Sequence, residues 1–111
     1  MCLFFSIMLE VLTKDSFENF INQPFAMVDF WASWCGPCRA LMPILEKISS
    51  EKGIKIGKMS VEEDETEEFA QRYRIQSIPS LLFFKQGDLV DTNVGLISEE
   101  DLLEKIKRHA G

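Results

Sequence analysis

The sequence predicts an α/β protein in which a mixed five-stranded sheet carries helices on both faces, with elements in the order βαβαβαββα. Three observations lead there. Hydrophobic periodicity switches repeatedly along the chain between strand-like alternation and helical spacing. Two short, nearly continuous apolar runs, residues 26–32 (AMVDFWA) and 80–85 (SLLFFK), have the length and composition of strands buried on both faces. The second run is followed almost at once by another strand pattern at 89–94, too soon for a crossover helix, so these two form an antiparallel hairpin.

Taken in order, residues 8–12 (MLEVL) alternate as a strand, and Thr13 then caps a short helix with Phe17, Phe20 and Ile21 on one face. After the apolar strand 26–32, Pro37 opens a helix of about four turns with Leu41, Ile44, Leu45 and Ile48 at helical spacing and Gly53 as its stop. Pro43 lies inside it, where the missing donor and the crowded preceding turn predict a kink rather than a break. Residues 54–61 form the next strand, 66–73 a helix, 80–85 a buried strand, and Gln86, Gly87 and Asp88 turn the chain into strand 89–94. Ser98 with Asp101 resembles a capping box and opens a last amphipathic helix with Leu102, Leu103 and Ile106 inward. Phe30, Trp31, Phe83 and Phe84 are assigned to the core.

The chain has 111 residues, the size of one domain, and its 46% hydrophobic and 27% charged residues exclude a disordered tail, a collagen-like chain or a repeat array. Residues 8–111 are read as that domain and residues 1–7 (MCLFFSI) as an N-terminal extension without function. A net charge of −6 opposes nucleic-acid binding, and no apolar run approaches the roughly 20 residues that span a bilayer. The start of the chain lacks the basic residues and cleavage context of a secretory signal, so the expected compartment is the cytoplasm. Three cysteines are too few, and odd in number, for a secreted disulfide framework, which points to redox or metal chemistry.

The chemistry centres on Trp34-Cys35-Gly36-Pro37-Cys38 at a strand-to-helix junction. Residues three apart at a helix start place their Cβ atoms about 5 to 6 Å apart, near disulfide geometry, so the pair can close and open without rebuilding the fold. Cys35 sits at the helix N-terminus, where unpaired N–H groups and the helix dipole favour a thiolate, and is expected to be the nucleophile. Cys38, one turn in, is the resolving thiol. Half of a zinc site is a competing reading, weakened because there is no second CxxC and the one histidine, His109, is expected to be an exposed helix-end residue far along the chain. An inert structural disulfide is another, weakened by the short loop it would close.

Asp29 interrupts the most apolar strand and must be either neutral at moderate pH or close to a cation, for which Lys58 on the following strand is the candidate. Residues 62–68 hold six acidic side chains around Thr66 and are read as a solvated loop and helix start, with a charge-steered dock as the lesser alternative.

From residue 8 to its end the chain resembles the thioredoxin family. The resemblance rests on Phe30-Trp31-Ala32-Ser33-Trp34-Cys35-Gly36-Pro37-Cys38-Arg39, on Pro43, on Ile78-Pro79-Ser80, on Lys85-Gln86-Gly87 and on Val94-Gly95, all in that family's order. Pro37 between the cysteines marks the reductant form; isomerase-type relatives more often carry His there. The chain departs from the family pattern at Ser80, where Thr is usual, and in residues 1–7, which bring the extra Cys2. The resemblance implies the thioredoxin fold and a protein-disulfide reductase without bound cofactor, working through a reversible Cys35–Cys38 disulfide. It implies a monomer recharged by a thioredoxin reductase that draws on NADPH, with oxidised proteins as substrates. It further implies that Asp29, with Lys58 beside it, moves a proton to or from the buried thiol. Pro79 is then cis, and Trp34, Gly36, Pro37, Ile78, Pro79, Val94 and Gly95 line an apolar docking patch. A nonredox binding module and an exported oxidant or isomerase are the rival functions, the first opposed by the intact WCGPC motif with Asp29 and the second by Pro37 and the missing signal.

Overall fold

A computed structural model of the chain describes residues 9–110. It contains strand β1 (Leu9–Val11), helix α1 (Phe17–Ile21), β2 (Ala26–Trp31), α2 (Gly36–Lys52), β3 (Ile56–Ser60), a 3₁₀ turn (Asp64–Thr66) running into α3 (Glu67–Arg72), the hairpin of β4 (Ser80–Lys85) and β5 (Asp88–Val94), and α4 (Glu99–Ala110). The predicted order holds. Met8, assigned to the first strand, and the extension at 1–7 lie outside the described residues.

The sheet order is β1-β3-β2-β4-β5. β3 pairs in parallel with β1 and β2, whereas β4 runs antiparallel to both β2 and β5, so the sheet is mixed as the short hairpin connection requires. β2 and β4 lie inside the sheet, and every residue of Ala26–Phe30 and Ser80–Phe84 is buried. Their apolar composition is the direct consequence of having a helix layer on each side.

Those layers hold separate cores. Phe17, Phe20 and Ile21 of α1 and Phe69 of α3 pack with Val28, Phe30, Leu82 and Phe84 on one face. Leu41, Leu45 and Ile48 of α2 and Leu102 and Ile106 of α4 pack with Met27, Ile56, Leu81 and Phe83 on the other. Side chains alternate across a strand, so Asp29, two residues from Met27, belongs to the α2 side. On β3, Gly57 lets α1 approach closely: a Cβ there would stand 2.5 Å from Leu12 Cδ1 and 2.9 Å from Phe20 Cε2.

Several boundaries differ from the sequence expectation. Thr13 does not cap α1 directly; its Oγ1 accepts from the Asp15 and Ser16 amides at 3.2 and 3.3 Å, fixing a turn from which the helix begins only at Phe17. The third strand is confined to Ile56–Ser60, because Ile54 is spent closing α2: its amide donates to Ser49 O, and its carbonyl accepts from Ser49 Oγ at 2.6 Å. Gly53 ends that helix at φ +65°, as its predicted stop position demands. α2 runs unbroken through Pro43. Ser98 Oγ accepts from the Asp101 amide at 3.1 Å, fulfilling the cap expected for α4.

His109 is not the exposed terminal residue expected. It is half-buried, its ring 6.2 Å from that of Phe83, with Nε2 3.0 Å from Asp91 Oδ2. Lys105, one turn earlier on α4, donates to the same oxygen at 2.9 Å, so the helix is fastened to β5 by two side chains converging on one carboxylate.

Candidate active site

The central strand β2 ends at Trp31, whose carbonyl still accepts from Val61 N at 2.9 Å. Beyond it the Cys35 amide donates to Ala32 O at 3.2 Å, and this turn delivers Cys35 to the N-cap of α2 in an extended conformation. Its Sγ accepts from the Cys38 amide at 3.2 Å. The helix start therefore presents an N–H to sulfur, where a cap oxygen usually sits, and this interaction strengthens when the sulfur is a thiolate. Cys35 and Cys38 are joined by a disulfide with Cα atoms 5.2 Å apart. Cys35 retains 5% exposure and Cys38 none, so the first cysteine is the one with an opening to solvent.

Across from the disulfide, Cys35 Sγ stands 3.8 Å from Ile78 O, and the Ile78–Pro79 peptide is cis. Gly95 at φ +94° donates its amide to Pro79 O at 2.8 Å, which brings the end of β5 against the proline loop. Ser80 Oγ donates to Ser77 O at 2.6 Å and tightens that loop from inside. Trp34 and Val94 are 68% and 62% exposed, large apolar groups that nothing in the fold requires at the surface. Between Trp34 and Ile78 runs a shallow groove of about 250 Å³ whose floor includes Val61, Ala70 and Ile75. Pro37 and Gly36 are exposed at the start of the helix.

Asp29 is fully buried, and among the described residues neither carboxylate oxygen has a hydrogen-bond partner. Burial raises its pKa to about 7, and the charge of Lys58 pulls in the opposite direction. Lys58 is opposite Asp29 in the β2–β3 register, as expected, yet it makes no ion pair with it; Nζ lies 4.2 Å from the centre of the Trp31 ring. Trp31 is accordingly only half-buried and serves as a cation-bearing surface rather than pure core.

One part of this site was missed by the sequence reading. Glu62, counted only as one of a solvated acidic run, accepts from Ser33 N at 2.8 Å and from Ser33 Oγ at 2.9 Å, and these bonds hold its pKa below the ordinary carboxylate range. Arg39 Nη1 donates to Ser33 O at 3.0 Å. Nothing in the local pattern distinguishes Glu62 from its acidic neighbours, because its role depends on where β3 ends beside the exit of β2.

A mixed sheet with a closed CxxC at a helix N-terminus, facing a cis-proline loop beside an apolar groove, defines a protein of thiol–disulfide exchange. The thioredoxin family model matches residues 8–108. Thioredoxin from Bacillus subtilis is 39% identical over 97 residues, covering 87% of this chain and 93% of its own, and that of Chlamydia pneumoniae is 41% identical over 104 residues, covering 93% and 100%. Among solved structures, a thioredoxin from Malassezia sympodialis superposes with a TM-score of 0.80 at 35% identity, and one from Halobacterium salinarum with 0.85 at 27%, each match covering 93% of this chain and 91% of the other. The chain belongs to the thioredoxin family. It is a thiol-disulfide oxidoreductase that reduces target disulfides through its reversible Cys35–Cys38 pair.

Proposed function

We propose that Cys35 and Cys38 divide the reaction as attacking and resolving thiols, and the observation that carries this is the difference in enclosure across one helical turn. In the reduced protein the Cys35 thiolate, held at the N-terminus of α2, attacks one sulfur of a target disulfide. The target S–S bond breaks, a mixed disulfide forms, and the released target thiolate takes a proton from solvent. Cys38 then loses its proton and attacks Cys35 Sγ. The mixed disulfide breaks, the second target thiol leaves as thiolate and is protonated, and two electrons have passed from the dithiol to the target.

Asp29 takes the proton that Cys38 loses. Its support is a buried carboxylate without partners on the sheet face beneath α2, with a pKa raised to about 7, where it can accept and return a proton. Lys58 acts through its field on Asp29 and keeps that pKa from rising further. Trp34, Gly36, Pro37, Ile78, Pro79, Val94 and Gly95 form the docking patch, on which an extended target segment lies across the groove beside Cys35.

The oxidised protein is recharged by a thioredoxin reductase that draws on NADPH, and oxidised proteins are the substrates. It works as a cytoplasmic monomer, and residues 8–111 form the working domain. These readings rest on the family's general chemistry and on the sequence. Among the described residues no helix is long and apolar enough to cross a membrane.

The test is trapping. Cys38→Ser should accumulate mixed disulfides with target proteins, whereas Cys35→Ser should abolish insulin reduction and trap nothing. Alkylation of the reduced protein at neutral pH should modify Cys35 first; faster modification of Cys38 would reverse the two roles.

A further inference from the structure

We infer that Glu62 is a positioning residue for protein substrates: by clamping Ser33 it fixes Trp34 as one wall of the groove beside Cys35. The inference rests on the thiol and docking roles proposed above. Its observations are independent of the cysteines. Both carboxylate oxygens of Glu62 are engaged by the same residue, Oε1 by Ser33 N at 2.8 Å and Oε2 by Ser33 Oγ at 2.9 Å. The Glu62 amide in turn donates to Ser60 Oγ at 3.2 Å, which ties the clamp to the last residue of β3. From the other side Arg39 Nη1 donates to Ser33 O, so amide, hydroxyl and carbonyl of one residue are all held.

That residue precedes Trp34, and Trp34 needs such support. It is 68% exposed, and among the described residues its indole N–H has no hydrogen-bond partner. Its position therefore depends on the backbone that enters it. A bound segment must order whatever part of its site is not already ordered, so a wall held in advance lowers the cost of docking. A small disulfide that reaches Cys35 without using the groove gains nothing from that wall. The clamp should thus separate protein substrates from small ones.

The experiment compares the rates at which the fully reduced protein is oxidised by insulin and by dithiobis-nitrobenzoate, a small aromatic disulfide. Glu62→Ala should slow the insulin reaction about five- to tenfold more than the small-disulfide reaction, the scale of losing one net hydrogen bond. Glu62→Gln keeps an oxygen for the Ser33 amide and a polar group for its hydroxyl while removing the charge, and should recover most of the insulin rate. Equal slowing of both reactions, or of neither, overturns the inference. A Glu62→Gln variant as impaired as Glu62→Ala also overturns it, because the residue then acts through its charge. Cys35→Ser serves as the control: activity surviving in it overturns the thiol roles themselves, an outcome distinct from failure of the clamp.

Discussion

Asp29 makes pH the most direct probe of the site at the scale of single residues. A carboxyl whose pKa is about 7 in the folded protein and 3.8 unfolded binds more protons when folded between those values. Its effect on stability is therefore most favourable below the unfolded pKa and is lost as pH rises through about 7. A carboxyl carried from 3.8 to about 7 accounts for roughly 4 kcal/mol at most, at about 1.36 kcal/mol for each tenfold change in proton affinity. Asp29→Ala should raise the unfolding free energy at pH 8 by about 1–4 kcal/mol, the range seen when a buried charge is replaced, and flatten its decline between pH 4 and 7 in urea melts. The same variant should slow insulin reduction. A variant that is less stable at pH 8 and fully active would make Asp29 a structural residue. Asp29 was legible in the sequence because a charge inside an apolar run has few explanations. Lys58 was legible as its neighbour through strand order but not as a cation over Trp31, since that depends on which way a long side chain turns. Glu62 was hidden among five other acids.

Among the elements, α4 is the one whose attachment sequence reasoning described least well. Its cap at Ser98 and its inward Leu102 and Ile106 follow from spacing alone, whereas the seating of Lys105 and His109 on Asp91 needs the hairpin and the helix to be placed together. Burial would raise the Asp91 pKa; the bonds from Lys105, His109 and the Thr92 amide outweigh it and bring the value to about 2. For this group the sign is reversed: its stabilisation is present above the unfolded pKa of 3.8 and is lost as pH falls through about 2. Asp91→Ala should cost about 1–2 kcal/mol at neutral pH, the scale of half-buried charged hydrogen bonds, with the difference from the parent vanishing near pH 2. An equal cost at both pH values would assign the loss to packing alone. α1 was the least legible helix for a related reason: it starts where a Thr13-centred turn hands over to it, a boundary that hydrophobic spacing does not set, whereas α3, expected over 66–73, runs Glu67–Arg72.

For the molecule as a whole, the fold was readable because two of its three interior strands are apolar runs and its hairpin connection is short, features that fix a mixed sheet without knowledge of side-chain contacts. Deleting residues 1–7 should leave both the rate of insulin reduction and the melting temperature unchanged, because the domain is read as starting at residue 8; a slower truncated protein with intact circular dichroism would give the extension a part in function. The partition of the interior by the sheet has its own consequence. Phe17 and Phe69 belong to one compartment, while Leu41 and Leu45, on the helix that begins at Cys35, belong to the other. Substitutions in contact couple strongly and those without shared partners nearly add. Changes at Phe17 or Phe69 should therefore nearly add to changes at Leu41 or Leu45, while Val61 and Ile78, which pack against both the α1 and α3 core and the cysteine pair, are the positions through which drift in that half of the protein reaches the chemistry.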